Sequence, residues 1–457
     1  MSDTPPTPAH DSDLGDVVAY QTPYLWSAMM IHLGEYMAMI IASFIVFHRT
    51  HSVVKTGLIL VVFNLPALLL ASPATSLTQR FGAARVDAWV NLVEALVALV
   101  PMALGFHHQL TLGAVYGWVG VYGVCEGLNT PNSFLVRQIL ASPGRLPELN
   151  SAYTRNVAAA AALGTLCGGA LYTWAGSGWV FLVCALSAGP EIVVLFRLAA
   201  AMARRTHPVA PTDSLREALQ LLRTEPGLWA AVRFAVLCFF VAGYAVTLPA
   251  IANRLGGGAV SLALLESGSL LGGILVAVVV KRVHGRVSWG RMQRWRYFAA
   301  GIALAAMSTV EFVSGHHSLA PNVMLVAITI PISFTVLMNA SIVTSVIQIA
   351  TPQDQRASMF TLVALIPLVV GPLSQEIVGA LADSWSVAGA LGVVAAVTLV
   401  VNVVTSHRPM AQHFDALDRA DAPFAVNELG GHRGGHRVAH HPRHLAEHRG
   451  AHRPELA

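Results

Sequence analysis

Twelve long apolar runs, each able to cross a lipid bilayer as a helix, constrain this chain more than any other feature. Crossing about 30 Å of hydrocarbon takes about 20 apolar residues, and runs of that length recur here with only turn or charge signals between them. Charged residues make up 11% of the chain, whereas about a quarter of a soluble domain is charged. We therefore predict an all-α membrane protein whose transmembrane helices occupy 24–47, 54–77, 87–106, 111–136, 153–174, 178–200, 228–251, 259–281, 296–314, 321–349, 357–382 and 386–405.

Basic residues are concentrated in every second connection between these helices. Arg80 and Arg85 follow the second helix and Arg204 and Arg205 follow the sixth, whereas the connection after the seventh holds only Arg254. Because cytoplasmic loops are enriched in Lys and Arg, we expect a multi-pass protein of the bacterial plasma (inner) membrane with both termini in the cytoplasm. The predicted segments are a cytoplasmic N-terminal tail (1–22), an N-terminal six-helix bundle (23–200), a cytoplasmic linker (201–227), a C-terminal six-helix bundle (228–406) and a His/Arg-rich cytoplasmic tail (407–457).

The tail differs in composition from everything before it. It is polar and repeats the pair His-Arg, as at His432-Arg433 and His436-Arg437. Such a composition favours a disordered segment, and the alternatives are metal chelation or contact with anionic lipid.

The two six-helix groups resemble each other at a nearly constant spacing. Ala141-Ser142-Pro143 corresponds to Ala350-Thr351-Pro352, and Gly169-Ala170-Leu171 corresponds to Gly379-Ala380-Leu381. Matches that recur in the same order at one spacing predict two parallel six-helix repeats. That architecture places a cavity between the halves, near the middle of the membrane.

Ionisable residues inside the predicted helices are the first candidates for function, because placing them in a membrane is costly. Glu35 lies halfway along the first helix with His32 one turn earlier on the same face, and Glu126 lies in the fourth helix. A buried carboxylate favours its neutral form, so one that alternates between cavity water and a packed interface can take up and release protons. We predict proton coupling by Glu35 with His32, and Glu126 as second candidate. The alternative is a neutral acid hydrogen-bonded between helices, which we prefer for Glu94, Glu191 and Glu376.

Three further residues complete the predicted cavity. Asn129 lies one turn from Glu126, Tyr36 offers an aromatic ring to a substrate, and Arg233 is the only basic residue expected inside the helices. Interhelical hydrogen bonding accounts equally well for Asn129, and aromatic residues in membrane helices commonly serve packing or interface contacts.

Four stretches give the chain a resemblance to a known family. They are "SAMMIHLGEYMAMIIASFIVFHRTHSVVKTGLIL", "ILASPGRLPELNSAYTRNVAAAAALGTLCGGALYTWAG", "LRTEPGLWAAVRFAVLCFFVAGYAVTLPAIANRLGGGAVSLALLESGSLLGGIL" and "IQIATPQDQRASMFTLVALIPLVVGPLSQEIVGALADSW". Through them the chain resembles the major facilitator superfamily, and within it the enterobactin-exporter and macrolide-efflux type of family. The resemblance implies the major facilitator fold, with twelve transmembrane helices in two parallel six-helix repeats.

Antiporters of that family carry the motif G-P-x-x-G-G in the fifth helix. Gly164, Gly168 and Gly169 match it here, and Thr165 stands where the family has proline. The resemblance therefore implies an antiporter-type helix that limits leakage through the cavity.

A second family motif, G-x-x-x-D-R-x-G-R, follows the second helix. Arg80 and Gly82 are retained, whereas Gln79 replaces the acid and Thr75 the first glycine. Loss of the acid puts in doubt the charge interaction that this loop makes in relatives. Glu35 also follows a glycine in the first helix, as an acid commonly does in the family.

Together these observations predict a secondary active transporter, a proton-coupled exporter (antiporter) of a small organic molecule such as a drug or siderophore, acting by alternating access. The alternatives are an importer or facilitator of the same fold, and a transport-inactive membrane sensor or scaffold, to which Gln79 and Thr165 point. An enzyme is not expected, because the chain has no nucleotide-binding loop and no paired catalytic constellation. We expect no cofactor and no bound metal. The expected partners are the small-molecule substrate, protons and the lipid bilayer; we expect a monomer that binds no nucleic acid.

Overall fold

The computed structural model describes residues 18–141, 145–202, 219–220, 222–223, 226–256, 258–283, 289–313, 319–351 and 356–405. Helices account for nearly all of them. They are α1 Gln21–Thr50, α2 Val53–Phe81, α3 Ala83–Phe106, α4 Leu112–Leu140, α5 Leu146–Ala175, α6 Ser177–Ser187 with Gly189–Met202, α7 Pro226–Ala242 with Leu248–Arg254, α8 Gly258–Val283, α9 Trp289–Val313, α10 Leu319–Ala350, α11 Arg356–Ser384 and α12 Val387–Thr405. The predicted His/Arg-rich tail, most of the linker and residues 1–17 of the N-terminal tail lie outside the described residues.

The two halves repeat the same helix pairings. In the N-terminal half (α1 to α6), α1 packs along α5, α2 along α4 and α3 along α6. In the C-terminal half (α7 to α12), α7 packs along α11, α8 along α10 and α9 along α12. Each pairing of the second half is a pairing of the first half moved on by six helices, as two parallel repeats require. The predicted fold class is confirmed.

The helices have the length and surface of membrane spans. Among the described residues, ten helices are long and apolar enough to cross a membrane. The two others are α4, which carries Glu126 and Asn129, and α10, whose qualifying apolar segment is the shorter Val323–Asn339. Large apolar side chains cover the outside, with Trp174 88% and Phe312 80% exposed. A continuous apolar exterior of this kind is stable in lipid rather than in water.

Two helices predicted to be continuous are interrupted at a proline. In α6 the regular helix breaks at Ala188, two residues before Pro190. In α7 a 3₁₀ turn, Gly243–Thr247, precedes the segment that begins Leu248-Pro249. Proline lacks the backbone N–H needed for the helical hydrogen bond and crowds the preceding turn, which accounts for both breaks.

The halves meet closely at one end of the molecule. We call the end where α1 begins the N-terminal face, which is the predicted cytoplasmic side, and the other end the opposite face. At the opposite face the carboxylate of Asp383, at the end of α11, accepts hydrogen bonds from the start of α2: the Ser52 hydroxyl at 2.6 Å, the Val53 N–H at 2.7 Å and the Val54 N–H at 3.1 Å. The end of α5 likewise packs against the start of α8. These contacts close the opposite face between the two halves.

Candidate functional site

The acid and histidine predicted to pair on α1 are in contact. Nδ1 of His32 lies 2.6 Å from Oε2 of Glu35, and the side chains are 20% and 9% exposed respectively. The spacing of three residues places both on one face of the helix. Tyr153 of α5 extends the pair, because its hydroxyl oxygen lies 3.0 Å from Nε2 of His32. A hydrogen-bonded chain of three side chains therefore links α5 to the middle of α1.

Arg137, in the last turn of α4, lies beside this chain. Its guanidinium carbon is 4.0 Å from the centre of the Tyr153 ring, and its Nε donates a hydrogen bond to Oδ1 of Asn150 at 2.9 Å. Tyr24 of α1 stacks on Tyr153, with ring centres 6.1 Å apart. The tyrosine is thus held by a cation and a second aromatic ring.

The basic residues inside the helices differ from the prediction. Arg233, expected to be the only one, is exposed and stacks on the Trp229 ring at 5.4 Å. Arg137 and Arg296 are instead buried, each 3% exposed. Arg296 of α9 is satisfied by neutral partners on α9 and α10, namely Gln293, the carbonyl of Thr335 and Asn339. The prediction missed both because each lies near a helix end, where sequence alone reads a basic residue as a loop charge.

Three further polar residues of the N-terminal half, Glu126, Asn129 and Glu94, make no hydrogen bond to the His32 chain among the described contacts. Glu126 accepts a hydrogen bond from the Thr130 hydroxyl at 2.9 Å, within its own helix. Asn129 donates to Oδ1 of Asn91 on α3 at 2.5 Å, which is the interhelical bond given as its alternative role. Glu94 differs from the expected hydrogen-bonded acid, because both its carboxyl oxygens are buried without a partner among the described residues.

A cavity of about 200 Å³ lies between the two halves. Tyr36, expected in the cavity, lines it on α1, and Glu266 of α8 is the only acidic residue among its described lining residues. His32, Glu35, Glu126, Asn129 and Arg233 are not among them, so their predicted roles in coupling or substrate binding stay predictions. Uncharged polar side chains complete the lining, namely Ser43, Thr56, Thr165 and Gln375.

The glycines of α5 serve two different close contacts. A Cβ at Gly164 would lie 2.5 Å from the carbonyl oxygen of Leu33, and one at Gly168 would lie 2.9 Å from the Cα of Met37, both on α1. A Cβ at Gly169 would lie 2.6 Å from the carbonyl oxygen of Ala259 on α8, in the other half. Small residues permit such backbone approach in membranes. Thr165 faces the cavity, and α5 continues through it as one helix.

The loop motif after α2 is described in part. Gly82 has a φ of +84° between α2 and α3, a conformation that favours glycine. The guanidinium of Arg80 lies over the Phe81 ring at 5.1 Å. The side chains of Thr75 and Gln79 lie outside the described residues, so the effect of the missing acid stays a prediction. Among the residues that the structure describes, no group of three or more His, Cys, Asp or Glu is placed to hold a metal ion.

Solved structures that share the fold include transporters of distant sequence. A bacterial homologue of the human lysosomal transporter Spinster, inward-facing and unoccupied, is 15% identical, with a TM-score of 0.58 over 91% of this chain and 99% of that one. A bacterial homologue of the iron transporter ferroportin, also inward-facing, is 14% identical, with a TM-score of 0.64 over 85% and 99%. A transporter of the POT family in complex with 5-aminolevulinic acid is 11% identical, with a TM-score of 0.66 over 84% and 94%. No curated protein sequence matches the chain significantly.

The sequence profile of the Major Facilitator Superfamily matches residues 24–374. This range covers most of the chain and reaches from α1 into α11, so it includes the first repeat, most of the second, the His32 chain and every cavity-lining residue named above except Gln375. The enterobactin-exporter and macrolide-efflux type is not distinguished by these matches. The chain belongs to the Major Facilitator Superfamily and is a multi-pass membrane transporter of small molecules rather than an enzyme.

Proposed function

We propose that this protein is a proton-coupled exporter of a small organic cation, and that Glu35 with His32 carries the coupled proton. The observation that supports this most is the hydrogen bond of 2.6 Å between the two side chains, halfway along a membrane-spanning helix. Membrane-embedded ionisable pairs of this kind mark proton relays in transporters. A pair of acid and imidazole can hold one proton in either of two places, which suits uptake on one side and release on the other.

The position of the pair explains how substrate and proton compete. Glu35 is buried and is not among the described lining residues of the cavity, whereas the next residue, Tyr36, lines it. Gly164 packs between Leu33 and Tyr36, so a displacement of Tyr36 acts on the close contact between α1 and α5. A substrate that displaces Tyr36 therefore acts on the helix segment that holds Glu35. Coupling by this route needs no direct contact between substrate and proton carrier.

The cavity favours a positively charged substrate. Glu266 is the acidic group of the described lining, and Tyr36 presents a π face that attracts cations. The neutral hydroxyl and amide groups of Ser43, Thr56 and Gln375 add hydrogen-bonding capacity without charge. A lipophilic cationic drug fits these groups better than an anionic siderophore does.

Export is supported by the glycine pattern of α5, which resembles that of antiporters and seals α5 against α1 and α8. The contacts at the opposite face close the predicted extracytoplasmic side, which agrees with loading of the substrate from the cytoplasm. An exporter loads its substrate in this state.

Inverted membrane vesicles test the proposal. With an imposed proton gradient, acid inside, vesicles holding the protein should accumulate ethidium and tetraphenylphosphonium, and an uncoupler should abolish the accumulation. Glu35→Gln should abolish it as well, whereas Glu376→Gln, a matched change of an acid within α11, should retain it. Gradient-independent equilibration of these probes would favour a facilitator. Absence of flux for these probes, for a macrolide and for a catecholate siderophore would favour the scaffold alternative.

A further inference from the structure

Three side chains form a series of increasing depth from the N-terminal face. Tyr153 lies seven residues into α5, His32 eleven into α1 and Glu35 fourteen into α1. At 1.5 Å per helical residue, these positions lie about 10, 16 and 21 Å from the helix starts. Arg137 lies in the last turn of α4, which ends at the same face. The series therefore leads from one face to the middle of the first helix.

Each neighbouring pair in the series is within hydrogen-bond distance. The tyrosine oxygen lies 3.0 Å from Nε2 of His32, and Nδ1 of His32 lies 2.6 Å from Oε2 of Glu35. Exposure falls along the same path, from a half-buried Tyr153 to a His32 side chain that is 20% exposed and a Glu35 side chain that is 9% exposed. Both imidazole nitrogens are thus engaged, one toward the surface and one toward the buried acid.

We propose that the hydroxyl of Tyr153 relays protons between His32 and water at the N-terminal face. This inference rests on the proposed function, because it assigns a path to the proton that Glu35 carries. In one transfer the carboxyl proton of Glu35 moves to Nδ1 of His32 and the Nε2 proton of His32 moves to the tyrosine oxygen. The tyrosine's own proton passes to water, so one proton leaves and Glu35 becomes a carboxylate. The imidazole returns to its starting tautomer when Nε2 takes up a proton from water and Nδ1 releases one to water, an exchange that leaves the number of protons unchanged.

The surroundings of Tyr153 position its hydroxyl for this step. The ring lies between the Arg137 guanidinium, 4.0 Å from its centre, and the ring of Tyr24, whose centre is 6.1 Å away. The other ionisable groups that act on the relay come from two further helices and from α4, namely Asp87 of α3, Glu126 of α4 and Glu191 of α6. The contacts with Arg137 and Tyr24 are to the ring, so they do not require the hydroxyl.

The substitution Tyr153→Phe isolates the hydroxyl, because phenylalanine keeps both ring contacts. In vesicles holding the full-length protein, gradient-driven ethidium accumulation should fall by about tenfold or more, since a positioned proton-transfer group contributes at least that much to a rate. Exchange of ethidium for ethidium without a gradient needs no proton release and should stay unchanged. Tyr24→Phe, which removes the neighbouring hydroxyl from the same stack, should leave both activities unchanged.

The outcomes separate this inference from the proposed function. If Tyr153→Phe accumulates ethidium as the unmodified protein does while Glu35→Gln does not, the relay through Tyr153 is wrong and the proposed function survives. If both variants accumulate ethidium normally, the proposed function itself is wrong. Equal loss of accumulation and exchange in Tyr153→Phe would assign the hydroxyl a structural role and overturn the relay.

Discussion

At the scale of single residues, the acids of this transporter differ by what they contact. Glu35 is bonded to a histidine, Glu266 lines the cavity, and Glu94 is buried without a partner among the described residues. A buried charge without a partner is costly, so Glu94 is expected to be a neutral acid. The three carboxyl groups therefore have different surroundings. We expect substitution of each to affect a different measurement.

Glu266→Gln should weaken the binding of cations without uncoupling transport. Removing the carboxylate loses its Coulomb attraction to the cation, which is worth about 2 kcal/mol for charges about 8 Å apart at an effective dielectric constant of about 20, so the half-saturating concentration of tetraphenylphosphonium should rise about tenfold or more. The proton gradient should still drive accumulation at saturating probe. An uncharged macrolide serves as the control substrate, and its half-saturating concentration, where it is transported, should not change. An unaltered value for tetraphenylphosphonium would remove Glu266 from the substrate site.

The His32 pair could be predicted from the sequence because both residues lie on one helix, where a spacing of three fixes their relative position. Tyr153 and Arg137 could not, since they lie on α5 and α4 and their contacts depend on how those helices are rotated against α1. A tyrosine near a helix start and an arginine near a helix end are also common at membrane interfaces. The sequence pattern therefore does not distinguish a tyrosine and an arginine that contact His32 or its partner from ordinary interface residues.

At the scale of helices, α5 combines three roles on different faces. Gly164 and Gly168 pack on α1 of the same half, Thr165 lines the cavity, and Gly169 packs on α8 of the other half. The first contact is internal to a rigid half, whereas the last is between halves and has to separate when the opposite face opens. The glycine pattern thus stabilises one helix pair permanently and another only in the closed state.

Gly169→Ala should loosen the closed opposite face. The added methyl group would lie 2.6 Å from the carbonyl oxygen of Ala259, so α5 and α8 have to move apart. Gly117→Ala is the matched control, because a Cβ at Gly117 meets nothing within 4 Å and alanine favours a helix by about 1 kcal/mol over glycine. We expect a lower thermal midpoint for Gly169→Ala and an equal or higher one for Gly117→Ala, measured in detergent. Equal midpoints for Gly169→Ala and the parent would contradict the close contact.

The positions of the helices follow from the sequence because about 20 apolar residues are needed for each crossing. The interruptions at Pro190 and Pro249 were not predicted from the sequence. Proline alone is not a sufficient signal, because neighbouring helices in a membrane can satisfy the freed carbonyl group and the helix can then continue. The pairing of α5 with both α1 and α8 required tertiary structure.

At the scale of the whole molecule, one carboxylate at the opposite face accepts three hydrogen bonds from the other half, beside the packing of α5 on α8. Asp383 caps α2 of the other half, where the helix dipole favours a negative charge. Alternating access requires this face to open, which breaks all three bonds together. Asp383 therefore stabilises the closed state relative to the open one.

Asp383→Ala should shift the molecule toward an open opposite face. Spin labels attached at Lys55→Cys and Ser384→Cys, both exposed positions across the contact, report the distance between α2 and α11. The background substitution Cys167→Ser removes the exposed native thiol. The population at the short distance should fall about tenfold relative to that at the long distance, as loss of bonds to a charged group predicts. Ser386→Ala removes a cap within the C-terminal half alone and should leave the distances unchanged. Unchanged distances in Asp383→Ala would contradict the role of Asp383 in stabilising the closed state.

The two-repeat architecture could be predicted from the recurring tripeptides, such as Gly169-Ala170-Leu171 with Gly379-Ala380-Leu381, and the helix pairings bear it out. The closed face could not, because a single sequence does not specify which ends of two bundles meet. The structure shows the role of Gly169 and Gly379 at this closed face, because each is a small residue where one half contacts the other.

Proton movement driven by substrate tests most directly whether Glu35 and His32 couple proton and substrate transport. In liposomes containing the purified protein and a trapped pH-sensitive dye, addition of ethidium outside the vesicles should move protons out as ethidium moves in, without an imposed gradient. Glu35→Gln should abolish this proton movement and still exchange ethidium for ethidium. Proton movement in Glu35→Gln equal to that of the parent would contradict the assignment of coupling to the Glu35 and His32 pair.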